Sequence, residues 1–276
     1  MYIRRTNLNN ITEPKIKLIA TDIDGTLFDS NHAYNVKRLN EYIAKLHQKN
    51  IKFAVASGNN FSHMDEVFAE AKGIDALVAE NGAQILVDGK TIFEDTLDLD
   101  QLIEINQEFN QQLDLISLCF SGVNGTYVEY DSPQTNDYYI NNLVRVDKIA
   151  DIDDKIFKMN IRIADDQLDP AVDFINQKFG DQIHAAVSGF GSIDIIAQHI
   201  SKATGLKKLC DFYDISLDNV VSFGDNGNDL EMLEESGIGV AMKNSGNHIK
   251  QSADMVSVTD NDDDGVLNTI AELVEL

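Results

Sequence analysis

Lys17-Leu18-Ile19-Ala20-Thr21-Asp22-Ile23-Asp24-Gly25-Thr26 is the stretch on which the reading of this chain turns. Lys17 to Thr21 reads as a short buried strand, and Gly25 with Thr26 marks a sharp turn just beyond it. Asp22 and Asp24 straddle one residue between the two. An aspartate can attack phosphorus to give an aspartyl-phosphate, which splits a hydrolysis into two easier steps. A second carboxyl nearby could protonate the leaving alcohol and later deprotonate the attacking water. In an acid-rich chain such a pair also arises by chance, so its surroundings must decide.

Working outward, Val36, Leu39, Ile43 and Leu46 recur near the helical period, and Ile51 to Ala56 is a second apolar strand ending on Ser57-Gly58. A short helix with Met64, Val67 and Phe68 and a third strand at Ala76 to Ala79 follow. This alternation predicts an α/β fold with a doubly wound parallel sheet. The pattern then changes. Ile85 to Val87 and Thr91 to Phe93 flank a glycine turn, a helix runs through Leu102, Ile105 and Phe109, and further strands are expected at Leu115 to Phe120, Thr126 to Tyr130, Lys158 to Ala164, Ile183 to Val187 and Ser192 to Ala197. Pro170 opens a helix among them. From Ser201 the strand–helix pattern returns, with strands at Val220 to Phe223, Ile238 to Met242 and Met255 to Val258. The expected organisation is a discontinuous core, residues 1–95 and 190–276, with an inserted α+β cap at 96–189.

The chain has 276 residues and a formal net charge of -24, from 46 acidic against 22 basic side chains. So acidic a surface repels nucleic acid and anionic lipid, and no basic stripe offsets it. No apolar stretch approaches the roughly 20 residues that cross a bilayer, and Met1 to Lys15 lacks an apolar leader core. Cys119 and Cys210 have no pair or metal-ligand spacing and lie in apolar runs, so both are expected in the core of a protein from a reducing, cytoplasmic compartment. Composition sets no oligomeric state. An anionic substrate would have to be held by a local feature: a metal, a lysine or backbone N–H groups.

Three further features meet that requirement where core strands end, which is where the ligand crevice of an open α/β sheet lies. Ser57, with Gly58, offers a hydroxyl and N–H groups suited to phosphate oxygens, though Ser-Gly is also ordinary turn chemistry. Lys202 could balance a phosphoryl charge, or be a solvated surface lysine. Gly224-Asp225-Asn226-Gly227-Asn228-Asp229 is rich in the short oxygen donors that suit magnesium, and equally in turn-forming residues.

Taken together, Asp22-Ile23-Asp24-Gly25-Thr26-Leu27, Ala56-Ser57-Gly58-Asn59, Ala79-Glu80-Asn81-Gly82-Ala83, Ser201-Lys202 and Gly224 to Asp229 resemble the haloacid dehalogenase-like phosphatases, specifically their Cof-type branch. The likeness spans nearly the whole chain after Ile16. It implies a Rossmann-like core with an inserted α+β cap, Asp22 as nucleophile and Asp24 as general acid and base. It implies Mg2+ held by the Asp22 carboxylate, the Asp24 carbonyl and Asp225. Ser57 and Lys202 would bind the phosphoryl group with Asn228 close by, and Asp229 would orient Lys202 or a metal-bound water. The implied substrate is a small-molecule phosphate ester, with sugar phosphates favoured because Ser-Gly-Asn at 57–59 and Asp260-Asn261-Asp262 before Gly265 look like the sugar-phosphatase members. Many Cof-type members have Arg where this chain has Asn59, so a phosphate contact from that position is not carried over.

Two other functions compete with hydrolysis: a phosphosugar mutase on the same scaffold, and a catalytically silent metal- or ligand-binding regulator. The strand-rich insert disfavours the first, because such mutases usually carry a smaller helical cap. Intact Asp22, Asp24 and Asp225 disfavour the second. Asp260, Asp262, Asp264 and Gly265 open like a calcium loop, but Ala271 stands where its bidentate Glu should be, so the segment reads as a solvated loop. The six histidines show no zinc spacing. Tyr138-Tyr139 is expected to edge the cap's own core.

Overall fold

Strand β1 (Leu18–Thr21) has all four residues buried and lies between β2 (Lys52–Ala56) and β12 (Val220–Gly224), pairing parallel with both. A strand covered on both faces needs apolar residues throughout, which is why Leu-Ile-Ala-Thr shows no alternation. The computed structural model describes residues 16–130, 142–189 and 191–276; Met1 to Lys15 and the Tyr138-Tyr139 pair lie outside them.

With β3 (Ala76–Ala79), β4 (Gln84–Val87), β5 (Lys90–Glu94), β13 (Ile238–Ala241) and β14 (Met255–Val256) these strands form one eight-stranded sheet, in the order β14-β13-β12-β1-β2-β3-β4-β5. Pairing is parallel from β14 to β3, and the β4–β5 hairpin adds antiparallel at the edge. From β1 the chain winds outward through β2 and β3, and later returns through β12 to wind the other way. The direction reverses between β1 and β12, so the crevice at their carboxyl ends is the topological switch point.

Helices cover both faces. Helix α1 (Val36–Gln48) starts where the Asn35 side chain accepts the Arg38 N–H, and buries Leu39, Ile43 and Leu46. Together with α8 (Gly265–Val274) it covers Ile19, Val55, Val221 and Val240. Helix α5 (Lys202–Tyr213) covers the opposite face, setting Ala203, Leu206 and Leu209 on Leu18, Ala20, Ala54 and Val78. The shorter α2 (Phe61–Val67), α6 (Leu230–Glu235) and α7 (Asn247–Ser252) complete these layers.

The intervening segment builds a second, six-stranded sheet, ordered β10-β11-β9-β6-β7-β8. Its strands are β6 (Ser117–Gly122), β7 (Thr126–Glu129), β8 (Leu143–Val146), β9 (Ile156–Arg162), β10 (Ile183–Gly189) and β11 (Ser192–Ala197), accompanied by α3 (Leu99–Gln112) and α4 (Leu168–Phe179). Leu118, Phe120, Phe157, Met159, Ile161, Ile193 and Ile195 join Leu102, Ile105, Phe109 and Ile175 of the two helices in one apolar core. Because β11 pairs with β9 and β10, Ser192 to Ala197 belong to this sheet. An edge at Gly189 would cut that hairpin in two, so the sheet carries the insert past its expected end to Ala197. Strand β9 also begins at Ile156 rather than Lys158 and ends at Arg162. Cys210 is buried in the core, but Cys119 is not a core residue: it lies on the polar face of β6 and lines a cleft.

Candidate active site

That cleft lies between the carboxyl ends of β1, β2 and β12 and the helix-free face of the second sheet. Asp22, Asp24, Ser57, Gly58, Asp225 and Asn228 all line it, so one crevice gathers residues spread over more than two hundred positions. Lys202 and Asp229 stand buried behind it.

Asp22 leaves β1 with its N–H donated to the Phe223 carbonyl (3.0 Å), which locks the strand end against β12. Its Oδ1 accepts Lys202 Nζ at 2.6 Å, while Oδ2 takes no hydrogen bond among the described residues. Lys202 also donates to Asp229 Oδ1 at 2.7 Å. It is 1% exposed, so the solvated reading of this lysine does not hold. Its position is fixed locally and non-locally. Ser201 and Thr204 cap the start of α5 reciprocally. The first turn also rests on Gly82, where φ is +100° and a Cβ would lie 2.2 Å from the Ser201 carbonyl oxygen.

Asp229 Oδ2 accepts the N–H groups of Asp225 (3.0 Å) and Asn226 (3.1 Å), so this carboxylate shapes the loop after β12 as well as holding the lysine. Asp225 Oδ1 accepts the Thr26 hydroxyl at 3.0 Å. Oxygens of Asp22, Asp225 and Asp229 lie within 4.8 Å of one another. Burial pushes the pKa of Asp22 well above the usual carboxylate range, against the pull of Lys202 and with the repulsion of Asp229 and Asp225. Burial and then Asp229 raise Asp225 to about 7. Burial alone would lower Lys202, but Asp22 and Asp229 outweigh it and keep the lysine charged.

Three carboxylates, two of them buried and Asp225 half-buried, against one ammonium leave a formal excess of two negative charges. A divalent hard cation is the partner that such a donor set fits. The Asp24 carbonyl accepts no hydrogen bond among the described residues, so it is available as a further oxygen ligand. The N–H groups of Asp24 and Gly58 likewise have no acceptor among them. Free donors beside a hydroxyl suit an anion's oxygens. Ser57 is held by its own N–H on the Val78 carbonyl (2.8 Å), and its Oγ accepts the Asn59 N–H (3.1 Å). Asn59 Nδ2 in turn donates to Asp24 Oδ2 at 3.0 Å, so this residue positions a carboxylate. His32 Nδ1 stands 3.6 Å from the other Asp24 oxygen.

The second sheet contributes residues that the sequence reading did not single out. Lys158 Nζ donates to the Gly58 carbonyl, and lies 3.3 Å from Asp194 Oδ2 and 3.5 Å from Glu80 Oε2. Glu80 Oε1 accepts the Ser121 hydroxyl at 2.5 Å. Asn81 links the two layers, donating to Asp194 Oδ2 (2.6 Å) while accepting Asn228 Nδ2 (3.0 Å). Burial raises Glu80 despite Lys158; Lys158, lowered by burial, is lifted further by Asp194 and Glu80. The signal for these residues was strand alternation: apolar 157, 159 and 161 against polar 158, 160 and 162 puts Lys158, Asn160 and Arg162 on one face. In the Asp260 to Gly265 segment Asp264 pairs with Arg38 and Asp262 accepts the Ser30 N–H, which ties the segment to its neighbours.

Residues 19–270 match the family profile of the haloacid dehalogenase-like hydrolases. A 5-amino-6-(5-phospho-D-ribitylamino)uracil phosphatase of Escherichia coli is 31% identical over 264 residues, which cover 94% of this chain and 97% of the relative. A crystal structure of a Streptococcus mutans protein superposes with a TM-score of 0.87 at 25% identity, covering 95% of this chain and 100% of that one. The structure of a sugar phosphatase of haloacid dehalogenase subclass IIB shares the fold with a TM-score of 0.78 at 21% identity, covering 94% and 100%. Among the described residues, no helix is long and apolar enough to cross a membrane.

Proposed function

The chain belongs to the haloacid dehalogenase-like hydrolases and is a phosphatase; we propose that it acts on small polyhydroxylated phosphomonoesters, with Asp22 as nucleophile and magnesium as cofactor. One observation carries this: Lys202 pins Asp22 Oδ1 in a buried site that still holds two surplus negative charges. The pinned oxygen fixes the carboxylate's orientation and leaves Oδ2 as the atom that attacks phosphorus in line. Asp24, steadied by Asn59, gives its proton to the leaving oxygen and takes one back from the water that releases Asp22. Ser57 and the N–H groups of Asp24 and Gly58 hold the phosphoryl oxygens, with Lys202 supplying fixed positive charge. Asp22, Asp225 and the Asp24 carbonyl would hold magnesium, which when bound neutralises phosphoryl charge. Serine and asparagine side chains in the cleft suit the hydroxyls of a sugar or sugar alcohol, and the Escherichia coli relative is named for a ribityl phosphate.

The test is turnover of a phosphate-ester panel, including sugar phosphates and 5-amino-6-(5-phospho-D-ribitylamino)uracil, before and after chelation. Activity is expected to vanish with chelator and return with magnesium; full turnover in excess chelator defeats the metal assignment. The pH dependence of metal binding gives a second check. Asp225 titrates at about 7 in the metal-free fold, against ~4 when unfolded. Between those values the native state binds more protons, so metal-free stability falls as pH rises through the window. Magnesium competes with that proton. The rise in Tm at saturating magnesium should therefore be larger at about pH 8 than at about pH 5.5, and a rise that does not grow with pH rules Asp225 out as a ligand.

Gly25 offers a local test. Its φ is +76°, and a Cβ there would stand 2.6 Å from Asp225 Oδ2. Gly25→Ala should cost ~1–2 kcal/mol in backbone strain. It should also lower kcat/KM by about 10²-fold by displacing the metal carboxylate. Wild-type kinetics in this variant would show that the turn tolerates the methyl group and does not set the site.

A further inference from the structure

The face of the second sheet that meets the cleft carries two cations, Lys158 and Arg162, and only the first is committed. Lys158 is taken by Gly58, Asp194 and Glu80. Arg162 lines the same cleft, and its guanidinium makes no hydrogen bond or ion pair among the described residues, in a chain whose formal net charge is -24. Register places Ser117 of β6 beside Arg162 on one side and Ser192 of β11 on the other. Three adjacent strands thus present hydroxyl, guanidinium and hydroxyl in one row. Both serines line the cleft, and their hydroxyls have no hydrogen-bond partner among the described residues.

A guanidinium is a planar fork of donors, matched to oxygen acceptors lying in one plane. A sugar hydroxyl needs no such group, because the serines and Asn160 of the same wall can serve it. We propose that Arg162, flanked by Ser117 and Ser192, is the subsite for the leaving group of the ester, and that it selects leaving groups bearing planar oxygen acceptors, either a carboxylate or the imide of a pyrimidine ring. The subsite rests on the phosphatase reading above and narrows its substrate class. An arginine whose stem merely packs along the sheet would show no such selectivity.

Two matched pairs of esters test it on the full chain with magnesium. 6-Phosphogluconate against glucose 6-phosphate probes the carboxylate, and uridine 5′-monophosphate against ribose 5-phosphate probes the imide. Arg162→Met should lower the ratio of kcat/KM, acceptor ester over its match, by about 10- to 100-fold in one pair, the size of a charge-assisted hydrogen bond. The pair that responds names the acceptor. Arg162→Lys keeps the charge but not the fork, and should restore only part of the ratio. A ratio within threefold of wild type in both pairs overturns the proposal. Calorimetric binding of the same four esters to Asp22→Asn, with and without Arg162→Met, separates the subsite from the chemistry. A fall in the binding ratio upholds the subsite even if Asp22→Asn still turns over, whereas an unchanged ratio rejects the subsite whatever Asp22 does.

Discussion

Asp22→Asn abolishes hydrolysis of p-nitrophenyl phosphate in magnesium, with kcat lowered about 10⁴-fold or more, while the protein stays folded. An amide oxygen is a far weaker nucleophile than a carboxylate, and losing the attacking group removes the step on which all later ones depend. The fold tolerates the change because Asn preserves shape and its Oδ1 can still accept from Lys202. It also removes one of three crowded negative charges, so metal-free Asp22→Asn should melt no lower than wild type. Kinetics and thermal melting together check this. Residual activity above about a hundredth of wild type would move the nucleophile elsewhere. Inactivity with a collapsed Tm would assign the loss to the fold rather than to the chemistry.

How far this site is legible in sequence depends on where each constraint acts. Asp22, Ser57 and Asp225 each follow a buried apolar strand directly, so strand signals carry them to the same sheet edge. Lys202 has no such flag. Its burial depends on the capped start of α5 and on the close approach of Gly82, a contact between segments more than a hundred residues apart. Lys158 and Asp194 were missed for a different reason. Alternation along β9 and β11 shows that one face is polar, but only the docking of that face onto the core turns it from a solvated surface into a buried network. The same ambiguity hid Cys119, an apolar-looking residue on the polar face. Strand β8 escaped because Leu143–Val146 neither alternates cleanly nor buries a side, whereas β14 was expected but ends at Val256 rather than Val258.

Lys202→Met should be the most damaging single change to both stability and activity. Among the described residues the lysine is the one cation touching Asp22 and Asp229, at 2.6 and 2.7 Å, and all three side chains are buried. Removing one partner of a buried ion pair leaves charge uncompensated in a poorly polarisable interior, at a cost of ~3–5 kcal/mol. The cost must depend on pH. Without the ammonium, Asp22 is pushed still higher than burial already pushes it, so the folded state holds a proton that the unfolded chain has released. Stability is then retained at low pH and lost as pH rises, and the gap from wild type should be wider at about pH 8 than at about pH 5 in metal-free denaturant titrations. Turnover should fall as far as for Asp22→Asn, because the attacking carboxylate loses its orientation and the phosphoryl group its fixed charge. Adding Asp229→Asn removes one of the two stranded charges, so the double variant should recover stability without recovering activity. That split between recovered stability and lost turnover is what separates a lysine that serves the reaction from one that only neutralises its neighbours. A double variant that regains both would assign Lys202 to the fold alone.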